Sequence, residues 1–166
     1  EADGWPLLTE ASRNGDWFTI RSKVDRRLFS WGRPAKLREV LKKQEVRGEY
    51  ELEVPARPAN GAHPARASRL ARMQMRWCRR TLDMRDSWTG KPCRLTVNVL
   101  WVSEFGTTPR GEKPIDWMLL TSHPIESMQD AQLVLRSYQA RWRIEEFHRV
   151  WKSGDCCVED NELRTP

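Results

Sequence analysis

The chain has 166 residues and a mass of 19.6 kDa, enough for a domain that buries about two thirds of its unfolded surface without disulfides or metals. Charged residues make up 31% and the AVILMFWYC set 39%. That composition excludes disorder over the whole length, and no apolar run approaches the roughly 18 residues that cross a bilayer. The 29 Lys+Arg against 23 Asp+Glu leave a net charge of +6, a sign that suits a polyanionic partner.

In chain order, Trp5-Pro6-Leu7-Leu8-Thr9-Glu10-Ala11 predicts a short helix that stops near Asn14-Gly15. Residues 17–23, Trp-Phe-Thr-Ile-Arg-Ser-Lys, read as a strand, and Lys36 to Lys43 as a helical turn or two. Tyr50, Leu52 and Val54 alternate with Glu49, Glu51 and Glu53, the period of a half-buried strand. Pro55, Pro58, Asn60-Gly61 and Pro64 then mark a loop. Met73, Met75 and Trp77 alternate with Arg72, Gln74 and Arg76. After a turn at Thr89-Gly90-Lys91-Pro92, Leu95, Val97, Val99 and Trp101 alternate with Arg94, Thr96 and Asn98. Residues 48–104 are therefore expected to form an antiparallel β-meander with one apolar and one basic face. A linker at 109–114 leads to a strand at 115–121. The longest helix follows at 128–152, opened by a capping box of Ser127 and Asp130 and stopped at Gly154.

The basic charge is localised. Residues 1–100 hold 21 basic and 12 acidic side chains, a net of +9, whereas 101–166 hold 8 and 11. Val54 to Leu82 contains seven Arg and no acid. Nine Trp, against two Tyr and four Phe, are a clear bias, explained by core filling or, where a ring is exposed beside cations, by base stacking. The four Cys show no C-x-x-C spacing, and adjacent Cys156-Cys157 form a poor disulfide pair, so they read as thiols in a reducing cytoplasm. Glu1 in place of Met, and the ending at Arg164-Thr165-Pro166, read as an excerpt of a longer chain.

On a wheel of about 100° per residue with Tyr138 at zero, Leu133, Ala140, Ile144, Phe147 and Trp151 fall between roughly 180° and 240°. Tyr138, Arg141, Glu145 and Lys152 fall on another side, with Trp142 and Arg149 close by. One stripe is expected to pack and the other to gather a phenol, a carboxylate and several cations. A solvated face with an Arg141–Glu145 helix pair is the plain alternative, worth a few tenths of a kcal/mol.

The strings Trp117-Met-Leu-Leu-Thr-Ser and Tyr138-x-x-Arg141-Trp-Arg-Ile-Glu145-Glu-Phe-His-Arg149-x-Trp-Lys152 closely resemble the DDE transposases of the bacterial insertion-sequence 4 family. The signature Tyr, two residues, Arg, three, Glu, six, Lys is met in full. The resemblance covers 112–153 and recurs more weakly at Glu1-Ala2-Asp3 and at 17–23. It implies an α/β chain: part of a ribonuclease H-like catalytic core (1–47), an antiparallel β-rich insertion (48–108), a core strand and long C-terminal helix carrying the catalytic Glu (109–153), and the start of a downstream segment (154–166).

By the same resemblance Glu145 is the third catalytic carboxylate and a ligand of Mg²⁺ (or Mn²⁺), the hard cations that take carboxylate oxygens. Tyr138, Arg141, Lys152 and Arg149 would hold DNA phosphates, Trp117 would support a base drawn from the stack, and Arg21 and Lys23 would form a basic pair nearby. The implied partners are duplex DNA, at transposon ends and target, and a second transposase subunit. The implied place is the bacterial cytoplasm, with the nucleoid, and no membrane. The family's D-R-E-A-D motif aligns so that this chain starts at its E-A-D, with both catalytic Asp upstream and Asp3 non-catalytic. The 166 residues alone are thus expected neither to cut nor to join DNA. Two rivals stand beside this reading. One is a non-catalytic basic module that binds nucleic acid through the arginines of 54–82; the other is a decayed transposase remnant that does not fold.

Overall fold

A computed structural model of the chain describes residues 5–30, 33, 35–59, 61, 64–85 and 89–153, without the side chains of 5, 85 and 142–153. The elements in order are α1 (Trp5–Asn14), β1 (Thr19–Arg21), β2 (Arg27–Leu28), β3 (Ala35–Lys36), α2 (Leu37–Lys42), β4 (Gly48–Val54), β5 (Arg69–Arg85), β6 (Pro92–Glu104), β7 (Asp116–Thr121) and α3 (Met128–Ser153). The fold is mixed α/β. Its strands form one sheet in the order β1-β7-β6-β5-β2-β3, with β4 paired to β5, and every described ladder is antiparallel.

The local signals of the sequence account for the element ends. α1 stops at Gly15, whose φ of 74° is a conformation glycine adopts without a Cβ clash. Gly90, at φ 65°, does the same between β5 and β6. The capping box of α3 is complete: the Asp130 amide donates to Ser127 Oγ at 3.2 Å and the Ser127 amide to Asp130 Oδ2 at 3.0 Å. The Ser127 hydroxyl and the amides of Glu126 and Ser127 hold the Asp130 carboxyl below its ordinary pKa. Gly154, the expected stop of this helix, lies outside the described residues.

The meander β4-β5-β6 is present, but its faces differ from expectation. Opposite residues of a ladder share a face, and the register pairs Met75 with Val102 and Trp77 with Leu100. The stripe Met73, Met75, Trp77 therefore joins Leu100, Val102 and Leu119 on one side. Val97, Val99 and Trp101 fall on the other, with Leu82, Met84, Met118 and Leu120. Two apolar stripes thus lie on opposite faces of the sheet, each with its own cover. Leu8 of α1 and Leu37 and Leu41 of α2 bury one; Ala131, Val134, Leu135 and Tyr138 of α3 bury the other. Strands covered on both sides lose the polar alternation, and every residue from Val99 to Ser103 is buried.

α3 also sits differently on its wheel. Its described half packs through Ala131, Val134, Leu135 and Tyr138, while Leu133 is 59% exposed. The expected stripe averaged over both halves of a long helix. The apolar residues that weighted it (Ile144, Phe147, Trp151) have side chains outside the described set. Over the described half, the spacing i, i+3, i+4, i+7 from Ala131 to Tyr138 meets the sheet.

Candidate nucleic-acid interface

The sheet register brings four of the expected site residues to one corner. Arg21 on β1 lies opposite Leu119 on β7, so it shares the face of Trp117, two residues back along β7. α3 crosses this face and touches β1. There Tyr138 meets the Trp117 ring edge-on, with centroids 5.7 Å apart at 61°. The Arg141 guanidinium lies 5.9 Å from the centre of the Tyr138 ring, within cation–π range. Tyr138 is only 5% exposed, so its body is a core residue and not part of a solvated face. Trp117 is half-buried against the same core. Packing therefore accounts for part of that ring and leaves the rest at the surface.

Arg21 is exposed, and its guanidinium donates to the Asp116 carbonyl at 3.0 Å, which holds it beside the start of β7. Lys23, two residues past β1, is also exposed and engaged within the fold. Glu145, Arg149 and Lys152 belong to the continuous backbone of α3, but their side chains lie outside the described residues, as does that of Trp142.

A dication of the Mg²⁺ kind needs several carboxylate oxygens. Among the described residues no group of three or more His, Cys, Asp or Glu side chains converges to supply them. Asp116, the carboxylate on β7, is already engaged: Arg38 reaches Oδ2 at 2.7 Å and the Trp101 indole N–H donates to Oδ1 at 2.7 Å. It also points to the other face, where Arg38 and Arg76 stack on Trp101 at 5.5 and 5.4 Å. The described residues do not by themselves make a metal site.

The acid-free arginine stretch finds its acids in tertiary structure. Arg69 donates to both oxygens of Glu104 and, at 2.9 Å, to Glu112. The Glu104 side chain is 2% exposed. Burial alone would raise its pKa, but the Arg69 guanidinium and the Ile115 amide hold it below the ordinary value. Arg72 lies over Phe105 at 4.5 Å, and Arg76 donates to the Gln44 carbonyl at 3.0 Å. These three arginines have structural duties that no local pattern announced, since their partners are about 30 residues or more away. Arg57, Arg66 and Arg79 have no carboxylate partner among the described residues.

Of the nine tryptophans, Trp77 and Trp101 are core residues, and Trp17 is 66% exposed and stacked on His123 at 4.5 Å. Cys78 and Cys93 are free thiols, and burial pushes the Cys78 pKa up. No described helix is long and apolar enough to cross a membrane. No protein-family model matches the chain.

Proposed function

We propose that the chain is part of the catalytic domain of a cut-and-paste DNA transposase of the insertion-sequence 4 kind, with a partial ribonuclease H-like core and a β-rich insertion. The observation that carries this reading is the Tyr138, Arg141, Glu145, Lys152 spacing on one unbroken helix, α3. Its first member rests against Trp117 at the corner that Arg21 also reaches. Positions 138, 145 and 152 recur every seven residues, close to two helical turns, so they follow one line of the helix, the line that at Tyr138 meets the sheet beside Trp117.

Each residue then has a task suited to its chemistry. Arg141 and Lys152 hold backbone phosphates, and Arg149 adds a further cation. These contacts fix the position of the strand and read no sequence. Tyr138 offers a phenol at the edge of a packed ring. Trp117 offers the exposed part of an indole to a base drawn from the stack, which offsets a flipping cost of a few kcal/mol. Arg21 and Lys23 extend the basic rim, and Glu145 is the carboxylate of the reaction centre. In an intact enzyme of this kind, water would hydrolyse a phosphodiester at each transposon end and the freed 3′-hydroxyl would attack target DNA within a homodimer; Glu145 would be one ligand of the Mg²⁺ or Mn²⁺ that supplies Lewis-acid chemistry.

The test is duplex binding by fluorescence anisotropy across a salt series. Arg141→Ala and Lys152→Ala should each weaken binding alike for unrelated sequences. Each should also flatten the slope of log K against log salt by about one phosphate's worth, roughly 0.9. Glu145→Ala should leave affinity unchanged. Unaltered binding in both cation variants would sink the proposal. The second reading, a non-catalytic basic module, is favoured by the carboxylate-free Arg57, Arg66 and Arg79. It requires Arg79→Ala to weaken binding while Arg141→Ala does not. Alanine at Arg72 or Arg76 is a poor probe of that reading, because Arg72 stacks on Phe105 and Arg76 on the core residue Trp101.

A further inference from the structure

An open cavity of about 360 Å³ lies where the loop between β4 and β5 meets the linker before β7. Its charged lining is Arg57, Arg66, Arg69, Glu112 and Lys113. Arg69 is neutralised by Glu104 and Glu112, which leaves Arg57, Arg66 and Lys113 without a carboxylate among the described residues.

Two of these cations are fixed in place. Arg57 and Arg66 exchange both backbone hydrogen bonds at 2.8 Å, an isolated antiparallel bridge that pins the two ends of the loop together. The Arg66 guanidinium donates to the Pro55 carbonyl through Nε at 3.2 Å and through one terminal nitrogen at 2.9 Å. Arg57 donates from one terminal nitrogen to the Pro64 carbonyl at 3.4 Å. Its Nε–H is sealed from solvent and has no acceptor among the described residues. A guanidinium carries five donors and no acceptor, so carbonyl bonds of this kind orient it and leave its charge and its remaining N–H groups unanswered. Like charges held together around a concavity repel one another, and the arrangement is relieved by an anion with several acceptor oxygens.

We infer that this cavity, lined by Arg57, Arg66 and Lys113, is a binding site for a phosphate group. Phosphate fits better than carboxylate because three cations line one cavity and a guanidinium fork matches two tetrahedral oxygens. The phosphate comes either from a nucleic-acid backbone or from a free phosphate anion. The lining shares no residue with the Arg21, Trp117, Tyr138 and Arg141 corner, so the inference does not depend on the transposase reading.

The experiment has three arms on the full chain. Inorganic phosphate and, separately, a duplex oligonucleotide are titrated while the backbone amides are followed by NMR. The Arg57→Gln/Lys113→Gln double variant is titrated alongside, and its melting transition is checked. Phosphate is expected to shift the amides of Arg57, Arg66 and 111–113, with binding at least ten-fold weaker in the variant. Shifts of the same amides by the duplex, with a smaller salt slope in the variant, assign the phosphate to a nucleic-acid backbone. Shifts by phosphate alone assign it to a free anion. If neither ligand moves those amides in the unsubstituted protein, the site does not exist, whatever the variant does. Equal phosphate affinity in a folded variant likewise overturns it.

Discussion

Glu104 ties three segments together, and its removal is the sharpest test of how the β7 corner is held. Its two oxygens accept two bonds from Arg69 and one from the Ile115 amide at 2.9 Å, one residue before β7 begins. Glu104→Ala leaves Arg69 with Glu112 alone and strands the Ile115 N–H. Breaking a buried ion pair by removing one partner costs about 3–5 kcal/mol. Glu112 still serves Arg69 and is 22% exposed, so the lower end, about 3 kcal/mol, is expected. At about 2–4 °C per kcal/mol for a chain of this size, the melting temperature should fall by roughly 6–12 °C. Circular dichroism melts of Glu104→Ala, Arg69→Ala and the double variant give the coupling, expected at about 1–3 kcal/mol. The pH dependence adds an independent check. Glu104 has a folded pKa below its unfolded one, so its contribution is present above the unfolded carboxylate pKa, about 4.3, and is lost as pH falls through the folded value. The gap between wild type and Glu104→Ala should therefore close in acid. A loss below about 1 kcal/mol, additive with Arg69→Ala, would refute the argument, because an exposed pair behaves that way.

Tyr138→Phe should keep stability within about 1 kcal/mol and weaken duplex binding, whereas Tyr138→Ala should cost about 3–5 kcal/mol, by chemical denaturation; equal stability in the two would deny the ring its core role. Tyr50 has a sealed hydroxyl without a partner among the described residues, and burial pushes its pKa up to about 12. Tyr50→Phe is expected to be neutral or stabilising by about 1 kcal/mol. Because the folded pKa is the higher one, stability should also drop as pH rises from about 10 through that value, and less so in the variant. An ultraviolet phenolate titration that shows Tyr50 ionising near 10 would contradict the burial. Ser127→Ala should cost about 1 kcal/mol through the first turn of α3, read from melts by circular dichroism. A cooperative melt of the wild-type chain would also remove the decayed-remnant reading.

Several element ends are set by local signals. The glycine stop of α1 at Gly15, the Ser127–Asp130 capping box, the alternation that makes β4 and the turn at Gly90 each depend on a few neighbouring residues. The spacing of Tyr138, Arg141, Glu145 and Lys152 is likewise a property of the chain alone, and so is the family resemblance built on it. Pairing register is not local. Met75 faces Val102 and not Val99 because of how β5 and β6 align, and a one-residue shift moves a whole stripe to the other face. That register turned one expected apolar face into two. The rotation of α3 was likewise set by the sheet beneath it, which buried Tyr138 and left Leu133 in solvent. Charge shows the same division. Composition established a basic chain with arginines concentrated in 54–82, but only folding separated Arg69, Arg72 and Arg76, which found distant partners, from Arg57 and Arg66, which line a cavity with no carboxylate partner among the described residues. A side chain's charge belongs to its residue; whether that charge is neutralised depends on what the fold places within a few ångströms.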